Sequence, residues 1–178
     1  MQTKPICFIL AFLVLGTLAT YAQEKKLPQL REFTVEERWQ RAQFSVDVLL
    51  AAGIGYAKSL NHTADDFNQY CLKTFAPSWG KPDSVSPIQV LRGMRTNFLS
   101  YSDMRLEILD SLHNKVIGRF NRPYVARRFK NNPSFYGMTL NEYEEWWRAF
   151  YRRLCDYLHL MYEDKVEDEW VTFTISKK

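Results

Sequence analysis

An α+β domain is what this sequence predicts, and three observations carry that expectation. Apolar residues recur at three- and four-residue steps in four segments, each preceded by a capping residue. Between Met104 and Phe120, and again from Trp170 to Ser176, the period falls to two. The resulting order is three N-terminal helices, a β-hairpin, a long aromatic-rich helix and a final strand. Such an order segregates helices against a small antiparallel sheet.

The long helix is the most strongly patterned element, expected from Thr139 to Asp164. Thr139-Leu140-Asn141-Glu142 is a capping box, in which the threonine oxygen accepts an amide and Glu142 reaches back. Tyr143, Trp147, Phe150, Leu154, Tyr157, Leu158 and Met161 then make one apolar stripe, which Trp146 widens. On the polar side, Glu144 and Arg148, and Arg152 and Asp156, stand four apart and are expected to pair. So many rings on one helix require a large partner surface, either the core or an aromatic-lined ligand pocket.

At the other end of the chain, Lys4 precedes the apolar run Ile6–Leu18, which closes on Thr20-Tyr21-Ala22. This reads as a secretory signal peptide over residues 1–22, cut after Ala22; its apolar run is too short to span a bilayer. The Ala22-Gln23 junction resembles signal peptides common in Bacteroidetes. Removing the first 22 of 178 residues leaves 156, enough for one domain with a sizeable core and no second membrane span. Residues 23–33 read as an extended lead-in and 34–178 as the single α+β domain, placed in the periplasm or outside the cell. The formal charge of +4 is spread along the chain and gives no basic patch for nucleic acid.

Thr34-Val35-Glu36-Glu37 is a second capping box and opens a helix to about Leu60, with Trp39, Ala42, Val46, Leu49, Leu50, Gly53, Tyr56, Ala57 and Leu60 as its stripe. Between Phe44 and Ala57 this helix is apolar on nearly all sides, which predicts deep burial. Asp47 is the exception: it faces solvent or an arginine, or it is a pocket carboxylate whose pKa burial raises, a catalytic acid or base. Thr63 starts a third helix with Phe67, Tyr70, Cys71 and Phe75 inward, ending before Pro77. Trp79 is expected to fold back onto the core. Ser86, Pro87 and Gln89 open the next helix, with Ile88, Leu91, Met94, Phe98 and Leu99 inward. The hairpin turns at Leu112-His113-Asn114-Lys115, and residues 130–138 read as an irregular loop.

Candidate chemistry is sparse. The three histidines lie on different elements, without metal-ligand spacing, and no phosphate loop or nucleophile elbow occurs, so no metal or cofactor is expected. Cys71 and Cys155 remain after processing, as a disulfide, as buried free thiols or as a reactive cysteine. Cys155 and His159 stand four apart, where a shared helix face would let the imidazole lower the thiol pKa. Arg119-Phe120-Asn121-Arg122-Pro123-Tyr124, followed by Arg127-Arg128, is the densest polar and aromatic cluster. It reads as a charged, proline-blunted sheet edge or as an anion-holding strand end. A ligand site would combine Arg119 or Arg122 with Tyr124, Trp146 and Trp147 between the long helix and the sheet, taking a small, partly apolar or anionic ligand. Ser84 and Ser111 sit in Asp-Ser-aliphatic triplets that resemble a Bacteroidetes O-glycosylation motif, both in expected loops or turns.

The stretch YAKSLNHTADDFNQYCLKTFAPSWG, residues 56–80, with RFNRPY and YGMTLNEYEEWW, resembles a family of small secreted bacterial proteins of unassigned function. The element order is also similar to L-2-amino-thiazoline-4-carboxylic acid hydrolase-like and 4-vinyl-reductase-like domains. Those finish on a Gly-Asp-x-x-Cys-type strand, whereas this chain finishes on WVTFTISKK, and the resemblance implies no catalytic residue here. Three functions follow as expectations: an exported small-molecule-binding domain, a hydrolase-like enzyme, or an interaction module of an envelope assembly with a protein partner.

Overall fold

Four hydroxyl side chains set where the helices begin. Thr34, Thr63, Ser86 and Thr139 each close a capping box, with Glu37, Asp66, Gln89 and Glu142 respectively returning to the cap backbone. The helices that follow are α1 (Val35–Ser59), α2 (Ala64–Phe75), α3 (Pro87–Phe98) and α4 (Leu140–Tyr157). This computed structural model describes residues 31–178, so the expected signal peptide and most of the lead-in lie outside the described residues. Contacts separate the chain after Phe33, and Thr34–Lys178 forms one unit.

The strands are β1 (Leu106–Leu112), β2 (Lys115–Asn121), β3 (Ser134–Phe135), β4 (Met138–Thr139), β5 (Leu160–Glu167) and β6 (Trp170–Lys177). The main sheet is antiparallel throughout, in the order β1-β2-β6-β5, so two hairpins lie side by side. Alternation along β2 and β6 sends Val116, Phe120, Val171, Phe173 and Ile175 to one face. There they meet Val90, Leu91, Met94 and Phe98 of α3 and Phe150, Tyr151 and Leu154 of α4. A second cluster joins Leu50, Ala51 and Ile54 of α1 to Tyr124, Met138 and Tyr143. The fold is therefore α+β, with two helices on one sheet face and α1 and α2 packed outside α4. Among the described residues, no helix is long and apolar enough to cross a membrane.

Several expectations need correction. The long helix stops at Tyr157 instead of continuing to Asp164, because His159 takes a left-handed turn (φ 60°) and the chain enters β5. In β5, Leu160 and Tyr162 face the core while Met161 and Glu163 face out, a period of two hidden by its helical neighbourhood. The surface pairs on α4 also differ. Glu144 bonds Arg122, Arg148 and Arg152 reach Asp164 on β5, and Asp156 meets Lys178. Residues 134–139 form a miniature hairpin, and residues 125–129 wind into one π-helical turn.

On α2 the inward face is Phe67, Asn68 and Cys71, leaving Tyr70 and Phe75 exposed. Asn68 accounts for the rotation: its amide donates to the Trp146 carbonyl at 2.6 Å and its oxygen accepts from Arg153 at 2.9 Å. Leu99, expected inward on the helix that Ser86 opens, is also exposed. Trp79 does fold back, its ring filling the space above Gly93 and meeting Tyr151 edge-on.

Candidate functional site

α1 presents its polar residues to the interior. Gln43, Asp47, Leu50, Ile54 and Ala57 lie on one helical face and are all buried. Asp47, fully buried, accepts from Arg128 Nε at 2.9 Å and from the Tyr143 hydroxyl at 3.1 Å, with Arg127 3.9 Å away. Arg127 also pairs with Asp103, which accepts from Gln43 at 3.1 Å. The Asn121 amide donates to the Asp103 carbonyl at 2.9 Å. One polar network thus ties α1, the turn before β1, the end of β2, the π-helical turn and α4. Burial pushes the Asp47 carboxyl above its ordinary range, and the two guanidinium groups and the tyrosine hydroxyl pull it partly back. Asp47 faces arginines and lines none of the three cavities below, and its bonds tie α1 to the π-helical turn and α4.

The expected ligand residues line different cavities, although some of them touch: the Arg122 guanidinium meets the Tyr124 hydroxyl, and the Trp146 and Trp147 rings meet edge-on at 4.9 Å. Tyr124 and Trp147 line an enclosed cavity between α4 and the sheet, together with Tyr101, Phe120, Tyr143 and Tyr151. Its volume is about 20 Å³, room for one water and no larger ligand. Trp146 lies on another side of α4, in a cleft of about 260 Å³ shared with α2, where it stacks on Phe150 at 5.7 Å. Arg122 edges an open groove of about 400 Å³ with Asn121, Val125, Lys130, Asp168 and Glu169, and is itself held by Glu144 and the Asp168 carbonyl. Arg119 is on the outer sheet face, paired with Glu107 at 2.7 Å and stacked over Trp170 at 4.3 Å. Arg119 alone is parted from the others by the sheet, because successive strand residues point to opposite faces.

Neither does the Cys155–His159 pair share a helix face. Cys155 is fully buried in α4, whereas His159 follows the helix end and its Nδ1 lies 2.8 Å from Asp83 Oδ2 on the surface. Burial pushes the Cys155 thiol up to about 12, away from a reactive thiolate, and raises Cys71 as well. Both cysteines are free. Ser84 lies in an exposed turn and donates to the Lys81 carbonyl at 2.7 Å, but Ser111 is in the edge strand β1 and not in a turn.

What sequence reasoning missed is a surface. The expectation of deep burial for Phe44–Ala57 fails on one side of α1, where Leu49 is 71% and Tyr56 68% exposed. Ala42, Ser45, Ala52 and Ser59 are exposed on the same side. The signal was present in the sequence: from Ala42 to Ala57 the only charged residue is Asp47, and Asp47 is buried. Fold and surface together define a small α+β domain whose outer helix α1 bears, from Ala42 to Ser59, one exposed face without charge. Comparison with protein-family models, curated proteins and solved structures gives no match.

Proposed function

We propose that this domain is the interaction module of an exported assembly, docking on a protein partner through the outer face of α1. One observation carries the reading: a helix face of more than four turns bears no charge and is uncovered by any described residue. Leu49 and Tyr56 stand exposed on it, and large apolar side chains left in solvent on an uncharged face are a feature of interaction sites. The cavity between α4 and the sheet, with room for one water, gives no support to the small-molecule pocket expected there. Export rests on the signal-peptide pattern before Gln23.

The test is a photo-crosslinking residue introduced at position 52 in the native host. Covalent species of higher mass are expected, and a Leu49→Glu change in the same chain should remove them. A chain that stays uncrosslinked in its own host ends this reading. A second reading, binding of a small anionic ligand, is favoured by the open groove beside Arg122 and Lys130. Native mass spectrometry of the host-purified protein would reveal such a ligand as a mass lost on denaturation.

A further inference from the structure

The outer face of α1 is patterned as well as apolar. Ala42, Ser45, Leu49, Ala52, Tyr56 and Ser59 follow at alternating spacings of three and four, and all six are exposed. That is the seam spacing of paired helices. It lies nearly opposite the buried row Gln43, Asp47, Leu50, Ile54 and Ala57, so it contributes nothing to the domain's own core.

Large and small residues are ordered along this seam. Leu49 and Ala52 are neighbours at its centre; Tyr56 and Ser45 stand one step farther out, and Ala42 and Ser59 close the ends. We infer, resting on the docking reading above, that the occupant is a second copy of this chain, its α1 antiparallel to the first about a two-fold axis level with the Leu50–Ala51 peptide. Leu49 then meets Ala52 of the second copy, Tyr56 meets Ser45, and Ala42 meets Ser59. Each large side chain finds a small one opposite, which fills the seam without voids. An isologous interface needs a patch complementary to itself, and this ordering supplies one.

A parallel pairing is disfavoured by the same residues. It would set Leu49 against Leu49 and Tyr56 against Tyr56 while leaving gaps at Ala42, Ser45 and Ala52. Opposed helix dipoles add to the preference. From Ala42 to Ser59 the seam is roughly 26 Å long at 1.5 Å per residue. One helix pair of that length is a small interface beside the ~800 Å² per partner of standard complexes, and a weak dimer, with a dissociation constant on the order of micromolar or above, is expected.

Analytical ultracentrifugation of the host-purified protein, between about 1 µM and about 1 mM, bracketing that range, tests the proposal. The expected result is a reversible rise from one to two chains, abolished by Leu49→Glu and by Ala52→Glu with unchanged circular dichroism. Geometry is tested by oxidation. The double variant Leu49→Cys/Ala52→Cys should crosslink to a dimer, while either single variant should not, and the native thiols are buried and silent. Crosslinking by the Ala52→Cys single variant overturns the antiparallel register. A chain that is monomeric throughout, or a dimer indifferent to Leu49→Glu, overturns the second copy as occupant. A monomer that still photo-crosslinks at position 52 to a different polypeptide refutes only this inference and leaves the docking module standing.

Discussion

At Asp47 the choice between a catalytic and a structural carboxylate becomes concrete. Its oxygens are taken by Arg128 and Tyr143, with Arg127 close behind. Asp47→Ala would strand buried guanidinium groups, and denaturant unfolding should show a loss of about 3–5 kcal/mol, the usual result of breaking one side of a buried pair. The arginines are also stacked, Arg128 lying 5.0 Å from the centre of the Phe44 ring, so they cannot simply swing to water. The buried thiols give a second residue-level prediction. With Cys155 at 0% exposure and Cys71 also buried, iodoacetamide near neutral pH should modify neither in the folded protein. Both should react once urea unfolds the chain, and mass spectrometry reads the difference as two added carbamidomethyl groups. Prompt labelling of either thiol in the native state would contradict the burial described here.

Elements were legible in the sequence where their ends are marked, and illegible where they are not. All four helix starts could be read because each carries a hydroxyl cap with its partner three residues on. The end of α4 could not be read, since His159 takes a left-handed turn usually left to glycine and leaves no stop signal behind it. Losing that stop hid β5 and with it the second hairpin. The inward face of α1 was missed for a different reason. Its buried row includes Gln43 and Asp47, whose partners come from residues sixty or more positions away, and apolar periodicity is blind to such pairing. Arg119 stands apart from the other candidate residues because strand alternation turns it to the face opposite Phe120. Glycines offer a test at this scale. A Cβ on Gly93 would sit 2.2 Å from the Trp79 ring, so Gly93→Ala should destabilise by roughly 1–3 kcal/mol despite alanine's helix propensity. A Cβ on Gly55 meets nothing within 4 Å, and Gly55→Ala should stabilise the monomer by up to about 1 kcal/mol. Thermal melts of the two variants should therefore move in opposite directions.

Over the whole molecule, the ion pairs predict how the fold answers to acid. Glu142 is partly buried, which raises its pKa, but the Lys58 ammonium and the Thr139 cap outweigh that and hold it below the ordinary glutamate range. Asp65 is lowered by Gln69 and Arg153, Asp66 by the Thr63 backbone and hydroxyl, and Glu167 by Lys165. Each of these four binds its proton more weakly when folded than when unfolded. Their stabilisation is present above the ordinary carboxyl pKa and is lost as pH falls through the lowered folded values. Asp47 has the opposite sign. Its folded pKa is raised, so its contribution is present below the ordinary aspartate value and declines as pH rises through the folded one. Four groups oppose one, and two of the four also hold the first turns of α2 and α4 through their capping boxes. Denaturant midpoints should therefore fall as the pH drops below about 4, where ordinary carboxyl groups begin to protonate. Glu142→Gln should flatten part of that slope, because glutamine can still accept from the Thr139 amide but no longer takes up a proton or pairs with Lys58 as an ion. A midpoint that rises steadily between pH 5 and pH 2, a window set by ordinary carboxyl titration, would mean that the surface pairs contribute little and that Asp47 governs the acid response of the fold.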